Sequence, residues 1–327
     1  MSESQELTTS PQARAAELAE VARMLDKVFG GKRYTPEYID WQYERSPEGR
    51  EVAVNLRHND ALSAHYALIP QTWTDGGADG GSDEKTHHPL MLSLNTAVTE
   101  AARGKGVFTR LAEETYQAAV DQRGAKAVLG VANANSTPGF TRRLGFSILS
   151  PLPVIIGLAN PFGGRGIETH VTDAAFTRSP RLAEIAGSLA TPSAGALAQL
   201  WTAEKLAWRL SSPLGPYWLH ADASGILVSR VERHKGVPIV IALKFLPRRG
   251  QGPLRVRALL DAACAHHKTP FFLYAGFNEA VQLSGLPLPR RLLPSPLNLI
   301  YRPLDTAMPP AEKVRLAAFE FLDFDAY

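Results

Sequence analysis

Arg103-Gly104-Lys105-Gly106 brings together what a diphosphate site needs: glycines that let the backbone turn tightly and approach a ligand, and cations to meet its charge. An apolar run precedes the tetrapeptide, and apolar residues at helical spacing follow it, which places it at a helix N-terminus. The first backbone N–H groups of a helix have no internal partner, and the helix dipole adds roughly +0.5 of a charge there. An anion binds such an end readily, and Arg103 or Lys105 adds a charge-assisted bond of about 1.5–3 kcal/mol. A basic turn capping a helix would use the same four residues, so the tetrapeptide alone leaves both readings open. A P-loop is excluded, because no G-x-x-x-x-G-K-[ST] occurs.

Other residues that could do chemistry are scattered. Asn133, Asn135 and Ser136 offer amide and hydroxyl groups, although Asn135-Ser136-Thr137-Pro138 is also a good helix-capping sequence. Glu100, His65 and the pair His87-His88 are candidate bases that read equally well as solvated or strand-face residues. No Cys/His spacing supports zinc, and no metal is expected. Cys264 is the single cysteine; it excludes an internal disulfide and reads as a small buried hydrophobe.

These residues must be positioned by an α/β chain. Leu18, Val21, Ala22, Leu25, Val28 and Phe29 form a helical stripe ended by Gly30-Gly31. Thr35 with Pro36 opens a short helix through Trp41. Strands are expected at 51–56, 61–74 and 90–98, with a glycine-rich hairpin tip at 75–88. A helix follows from about Gly104 to Arg123, burying Phe108, Leu111, Ala112, Thr115 and Ala119, with Gly124 closing it. A strand at 127–132, a short helix from Pro138 to before Gly145 and a strand over 146–158 complete the first half. Residues 159–200 read as a linker with one helix at 180–189.

The second half repeats the first. Thr35-Pro-Glu-Tyr-Ile-Asp-Trp41 matches Thr202-Ala-Glu-Lys-Leu-Ala-Trp208, and each is followed by Ser-Pro and Gly after one single-residue gap. HPLMLSLN before RGKG matches VPIVIALK before Arg249-Gly250-Gln251-Gly252. Matches in the same order over three segments indicate duplication, and 327 residues suit two domains at ~150 each. The expected division is 1–160, 161–200 as linker and 201–327. A net charge of +3 is too weak to imply nucleic acid. No apolar run approaches the ~18 residues of a membrane span, and the acidic start lacks the basic and apolar regions of an export signal, so a cytoplasmic protein is expected.

The strand, then Arg103, Gly106 and Phe108 in the frame [QR]-x-x-G-x-[GA], then a helix, resembles the acyl-CoA motif of the GNAT acyltransferase superfamily. VANANSTPGFTRRLGF (131–146) resembles that family's next strand, its Asn-bearing turn, short helix and closing Gly-Phe. The order of 15–158 follows the family, and the whole is similar to members with a second, degenerate GNAT-like half. The resemblance implies two tandem domains, each a mixed, mostly antiparallel twisted sheet flanked by helices. It implies transfer of an acetyl group from acetyl-CoA to an amine, with a small molecule or amino sugar as acceptor. Ala97 and Val98 would then meet the pantetheine arm and acyl carbonyl. The N–H groups of Gly104, Lys105, Gly106, Val107 and Phe108 would hold the pyrophosphate, and Asn133 or Asn135 with Ser136 would lie along the coenzyme.

Two departures stand out. Phe108 replaces a small residue, which keeps the backbone donor if the ring turns into the core. Thr141 stands where many members carry a tyrosine acid, so the usual acid is missing. Glu100 is a candidate base, as is the terminal carboxylate of Tyr327 by analogy with some tandem members; the closing FEFLDFDAY otherwise reads as an edge strand completing the second sheet. An acyl-CoA sensor without activity, or a transferase using another acyl donor, remain the alternatives. Two working coenzyme sites are not expected, and an oligomer is possible.

Overall fold

Ser10 and Thr35 start the first two helices alike: each side chain accepts the backbone N–H three residues on, and proline takes the first helical position. The computed structural model describes residues 10–30, 33–75, 87–104, 106–191, 195–250 and 252–325. It places α1 at Pro11–Phe29 and α2 at Pro36–Glu44. Leu18, Val21, Ala22 and Leu25 are buried, whereas Phe29, at the helix end, is half exposed against Tyr34. Next come β1 (Val52–His58), β2 (Ala61–Thr74), β3 (His87–Val98), α3 (Val107–Arg123), β4 (Ala127–Ala132) and α4 (Thr137–Arg143). β2 and β3 pair antiparallel out to Thr74 and His87; most of the expected hairpin tip, 76–86, lies outside the described residues. α3 begins three residues later than Gly104 because Gly104 and Gly106 are left-handed, at φ +86° and +70°. Gly124 closes the helix, its N–H reaching the Ala119 and Val120 carbonyls.

The single strand expected over 146–158 is two, β5 (Ser147–Pro151) and β6 (Val154–Leu158), interrupted at Leu152-Pro153. The stretch read as a linker carries β7 (Glu168–Val171), α5 (Ala174–Thr177), α6 (Pro180–Gly187) and β8 (Ala198–Gln199); α6 is the helix expected there. Then follow α7 (Ala203–Leu210), β9 (Trp218–Ala221), β10 (Gly225–His234), β11 (Val237–Pro247), α8 (Val256–His266), β12 (Phe271–Asn278), β13 (Leu286–Pro287), β14 (Asn298–Pro303) and β15 (Ala318–Glu320). The last strand is shorter than the closing apolar-acidic pattern suggests, since Phe321–Phe324 is a 3-10 turn.

Two sheets result, ordered β1-β2-β3-β4-β14-β5 and β9-β10-β11-β12-β6-β13, with β7 beyond β9. The orders correspond strand for strand, and the parallel pair falls at the same place in each, β3 with β4 and β11 with β12. Each half lends the other one strand: β14 lies antiparallel between β4 and β5, and β6 between β12 and β13. The division at 160 and 201 follows the chain; the pairing crosses it. The repeat also meets itself directly. Trp41 and Trp208 stack with centroids 4.8 Å apart, and each indole N–H donates to the other's carbonyl at 3.0 Å. α3 covers the outer face of the first sheet through Leu111 and Tyr116, and α8 that of the second through Leu259 and Cys264, the latter fully buried as expected. One larger core, including Leu25, Trp73, Leu210 and Leu243, joins the inner faces. No helix among the described residues is long and apolar enough to cross a membrane.

Candidate active site

β3 runs beside β4 for four parallel pairs, Leu90↔Ala127 to Ser93↔Gly130, and pairing then stops. The cause is local. Asn95 has a left-handed φ of +52°, and the register against β2 shifts between His65 and Ala67; this is a bulge, which re-aims a strand end. The Asn95 amide holds it by donating to Gln42 Oε1 at 2.6 Å and to the Tyr43 hydroxyl at 2.9 Å. Beyond the bulge the two strands form an open mouth, where an extended ligand can meet main-chain groups as an added strand would.

A cleft of about 430 Å³ lies at this mouth, between the start of α3 and α4. It gathers Val98, Arg103, Gly104, Gly106, Val107, Phe108, Asn135 and Ser136 from the sequence-derived set and adds Thr96, Phe140 and Arg143. No side chain caps α3, its first turn holds no acid, and the earliest helical bond is Arg110 N to Gly106 O at 3.0 Å. The Phe108 and Thr109 N–H groups therefore come too early for intrahelical partners. An uncapped helix end of this kind can take an anion, and the side chains of Arg103 and Arg143 line the same cleft. Lys105 lies outside the described residues. The Phe108 ring does not enter the centre of the core; it stands edge-on to Phe140 at 5.7 Å and packs against Gly139, leaving its backbone N–H at the helix start.

Other candidates fall elsewhere. Asn133 is a turn cap: its Oδ1 accepts from the Asn135 and Ser136 N–H groups, each at 2.9 Å, and from the Ser136 hydroxyl. Ala97 is buried behind the mouth, and Glu100 sits in an exposed 3-10 turn; neither lines the cleft. The Thr141 hydroxyl donates to the Thr137 carbonyl and is absent from the cleft wall. His65 is fully enclosed between the Tyr43 hydroxyl (2.8 Å) and Asn55 Oδ1 (2.6 Å), and burial, with Arg14 adding, pushes its pKa down to about 3. His87 and His88 begin β3, about 30 Å along the strand from the mouth. Tyr327 lies outside the described residues; Asp325, the last of those described, is buried and held by Arg209 at 2.8 Å, with Tyr38, Gln42 and Arg33 also bonded to it. Arg143 was legible in principle, since 136, 140 and 143 share one helix face. Among the described residues, no group of three His, Cys, Asp or Glu side chains could hold a metal ion.

A family model described as an acetyltransferase (GNAT) domain matches residues 11–149, the segment that builds the mouth, loop and cleft. The chain carries a GNAT domain. Residues 11–149 thereby carry a transferase domain of the GNAT type, and acyl-CoA is the donor class of that family. No curated protein sequence matches the chain. Solved structures share the tandem fold at low identity. A probable N-acyltransferase from Enterococcus faecalis V583 aligns with a TM-score of 0.61 at 10% identity, over 89% of this chain and 71% of that one. A GCN5-related N-acetyltransferase from Kribbella flavida aligns with a TM-score of 0.58 at 18% identity, over 91% and 70%. Saccharomyces cerevisiae N-myristoyltransferase, solved with bound myristoyl-CoA, aligns with a TM-score of 0.53 at 13% identity, over 90% and 83%.

The second GNAT-like half has the same mouth in a different state. Parallel pairing of β11 with β12 ends at Ala242↔Tyr274, and β15 then pairs with β12 from Gly276 to Asn278. Gly276, at φ +120°, permits this: a Cβ there would lie 2.1 Å from the Phe319 carbonyl oxygen. Asn278 donates to the Phe245 carbonyl and to Glu320, and buried Lys244 pairs with Glu320 and Asp323. The chain's own last strand seals this mouth.

Proposed function

We propose that the chain transfers an acetyl group from acetyl-CoA to an amine of a small molecule or amino sugar, by direct attack on the thioester in the first half. One observation carries the reading: an uncapped helix start, two left-handed glycines and the unpaired end of β3 converge on one cleft. The N–H groups from Gly104 to Phe108 would hold the pyrophosphate, aided by Arg103, Lys105 and Arg143. Thr96 and Val98 would meet the pantetheine arm, and Asn135 with Ser136 the coenzyme's flank.

Among the described residues, the cleft wall contains no acid and no imidazole. At pH 7 an amine of pKa about 10.4 is neutral roughly once in 2,500 molecules, a penalty near 4.6 kcal/mol. We therefore assign Glu100 no more than a surface role. Deprotonation falls to solvent or to the carboxylate of Tyr327, which adding residues after Tyr327 would test; unchanged turnover removes it. The same bare wall favours a second reading, an acyl-CoA sensor. Calorimetry with coenzyme A and thiol release from acetyl-CoA over an amine panel separate the cases: binding with release supports the transferase, binding alone the sensor, and no binding overturns both.

A further inference from the structure

At the sealed mouth of the second sheet, a cavity of about 170 Å³ remains on the side of the shared core. Trp201, Lys244, Leu246 and Asn278 line it, Ala318 of β15 contributes, and Thr74 closes it from the first sheet. Under the repeat, Lys244 stands at the position of Asn95 and Trp201 at that of Tyr34.

Two wall residues carry polar atoms that are buried and have no hydrogen-bond partner: the Thr74 hydroxyl and the Trp201 indole N–H. Thr74 is fully buried and Trp201 nine-tenths so. Such groups are costly unless an acceptor is supplied. Charge in the wall is already matched: Lys244 pairs with Glu320 and Asp323, and Glu279 with Arg315. An ion entering would lose its hydration with no countercharge to meet it. The volume is close to that of the roughly 150 Å³ apolar cavity that holds a benzene ring.

We propose that this cavity binds a small uncharged molecule, the size of one substituted six-membered ring, whose carbonyl or hydroxyl oxygen accepts from Trp201 and Thr74. The site is independent of the coenzyme cleft. Benzamide is a suitable probe, titrated into the full-length, 15N-labelled chain while the five indole N–H resonances are followed; Trp201→Phe assigns the relevant one. A saturable shift of the Trp201 resonance is expected, weakened about fivefold in Thr74→Val by loss of one hydrogen bond. Ala318→Leu, which fills the cavity, should abolish the shift and leave coenzyme A affinity unchanged. A Trp201 resonance unmoved up to the solubility limit of benzamide, or one that moves equally in folded Ala318→Leu, overturns the proposal, whatever the coenzyme titration shows.

Discussion

Replacing Lys244 by methionine removes the cation that seals the second sheet. Its Nζ lies 2.7 Å from Asp323 Oδ2 and 2.9 Å from Glu320 Oε2, and none of the three side chains is more than 3% exposed. A buried ion pair adds little over apolar packing, but removing one partner strands the other charges and costs about 3–5 kcal/mol. With unfolding entropy near 2.1 cal/mol/K per residue, a chain of this length loses about 0.7 kcal/mol per degree, so Tm should fall by ~4–7 °C. The pH dependence has a definite sign. Burial raises the Glu320 pKa above the ordinary carboxylate range, and Lys244 opposes that rise. Without Lys244 the folded pKa climbs further, and stability carried by the protonated form is present at low pH and lost as pH rises through it. The deficit is therefore full at pH 8 and smaller at pH 5. Calorimetry at both values reads it, and adding Glu320→Gln with Asp323→Asn should restore most of the loss. A Tm within about 2 °C of the parent at pH 8, or no rescue by the triple variant, would refute the reasoning.

Arg103→Glu with Arg143→Glu should weaken coenzyme A by up to about 30-fold per site at low salt, because each exposed contact of up to ~1 kcal/mol becomes an equal repulsion; calorimetry should show the effect shrinking as salt rises. If no group in the cleft wall takes the amine's proton, log kcat/KM should climb with unit slope from pH 7 to 9, and a plateau near neutrality would reveal a base. Trp41→Phe and Trp208→Phe should each cost about 1 kcal/mol in urea titrations, and by similar amounts, because the two hydrogen bonds are reciprocal. His65 and His220 are both pushed down to about 3 by burial. A lowered folded pKa means that their contribution is whole above about pH 6.5 and falls away on acidification. Denaturation at pH 5 should show a loss of about 2 kcal/mol for each.

What was legible in the sequence was local. Thr35 and Thr202 cap their helices through the residues beside them, Gly124 ends α3 by its own φ, and β4 follows from an uninterrupted apolar run. Asn133 also belongs here, since its capping bonds reach only two or three residues. The exchanged strands were hidden for the opposite reason. VIIGL in β6 and NLIYRP in β14 are short apolar runs that would suit either sheet, and only topology assigns them. Asp325 was hidden too: it meets Gln42 across 283 residues, and no spacing rule links them.

The duplication makes one difference between the halves interpretable. Both sheets part at equivalent places, so the backbone alone offers two mouths. In the first, Asn95 is a neutral amide satisfied by Gln42 and Tyr43 beside it, which leaves the gap open. In the second, Lys244 occupies the matching position, and a buried cation requires anions. Glu320 and Asp323 supply them from β15 and the turn after it, and bring that strand into the gap. A neutral or charged residue at one repeated position thus separates a mouth left open beside a cleft of about 430 Å³ from one that a strand fills, leaving a cavity of about 170 Å³.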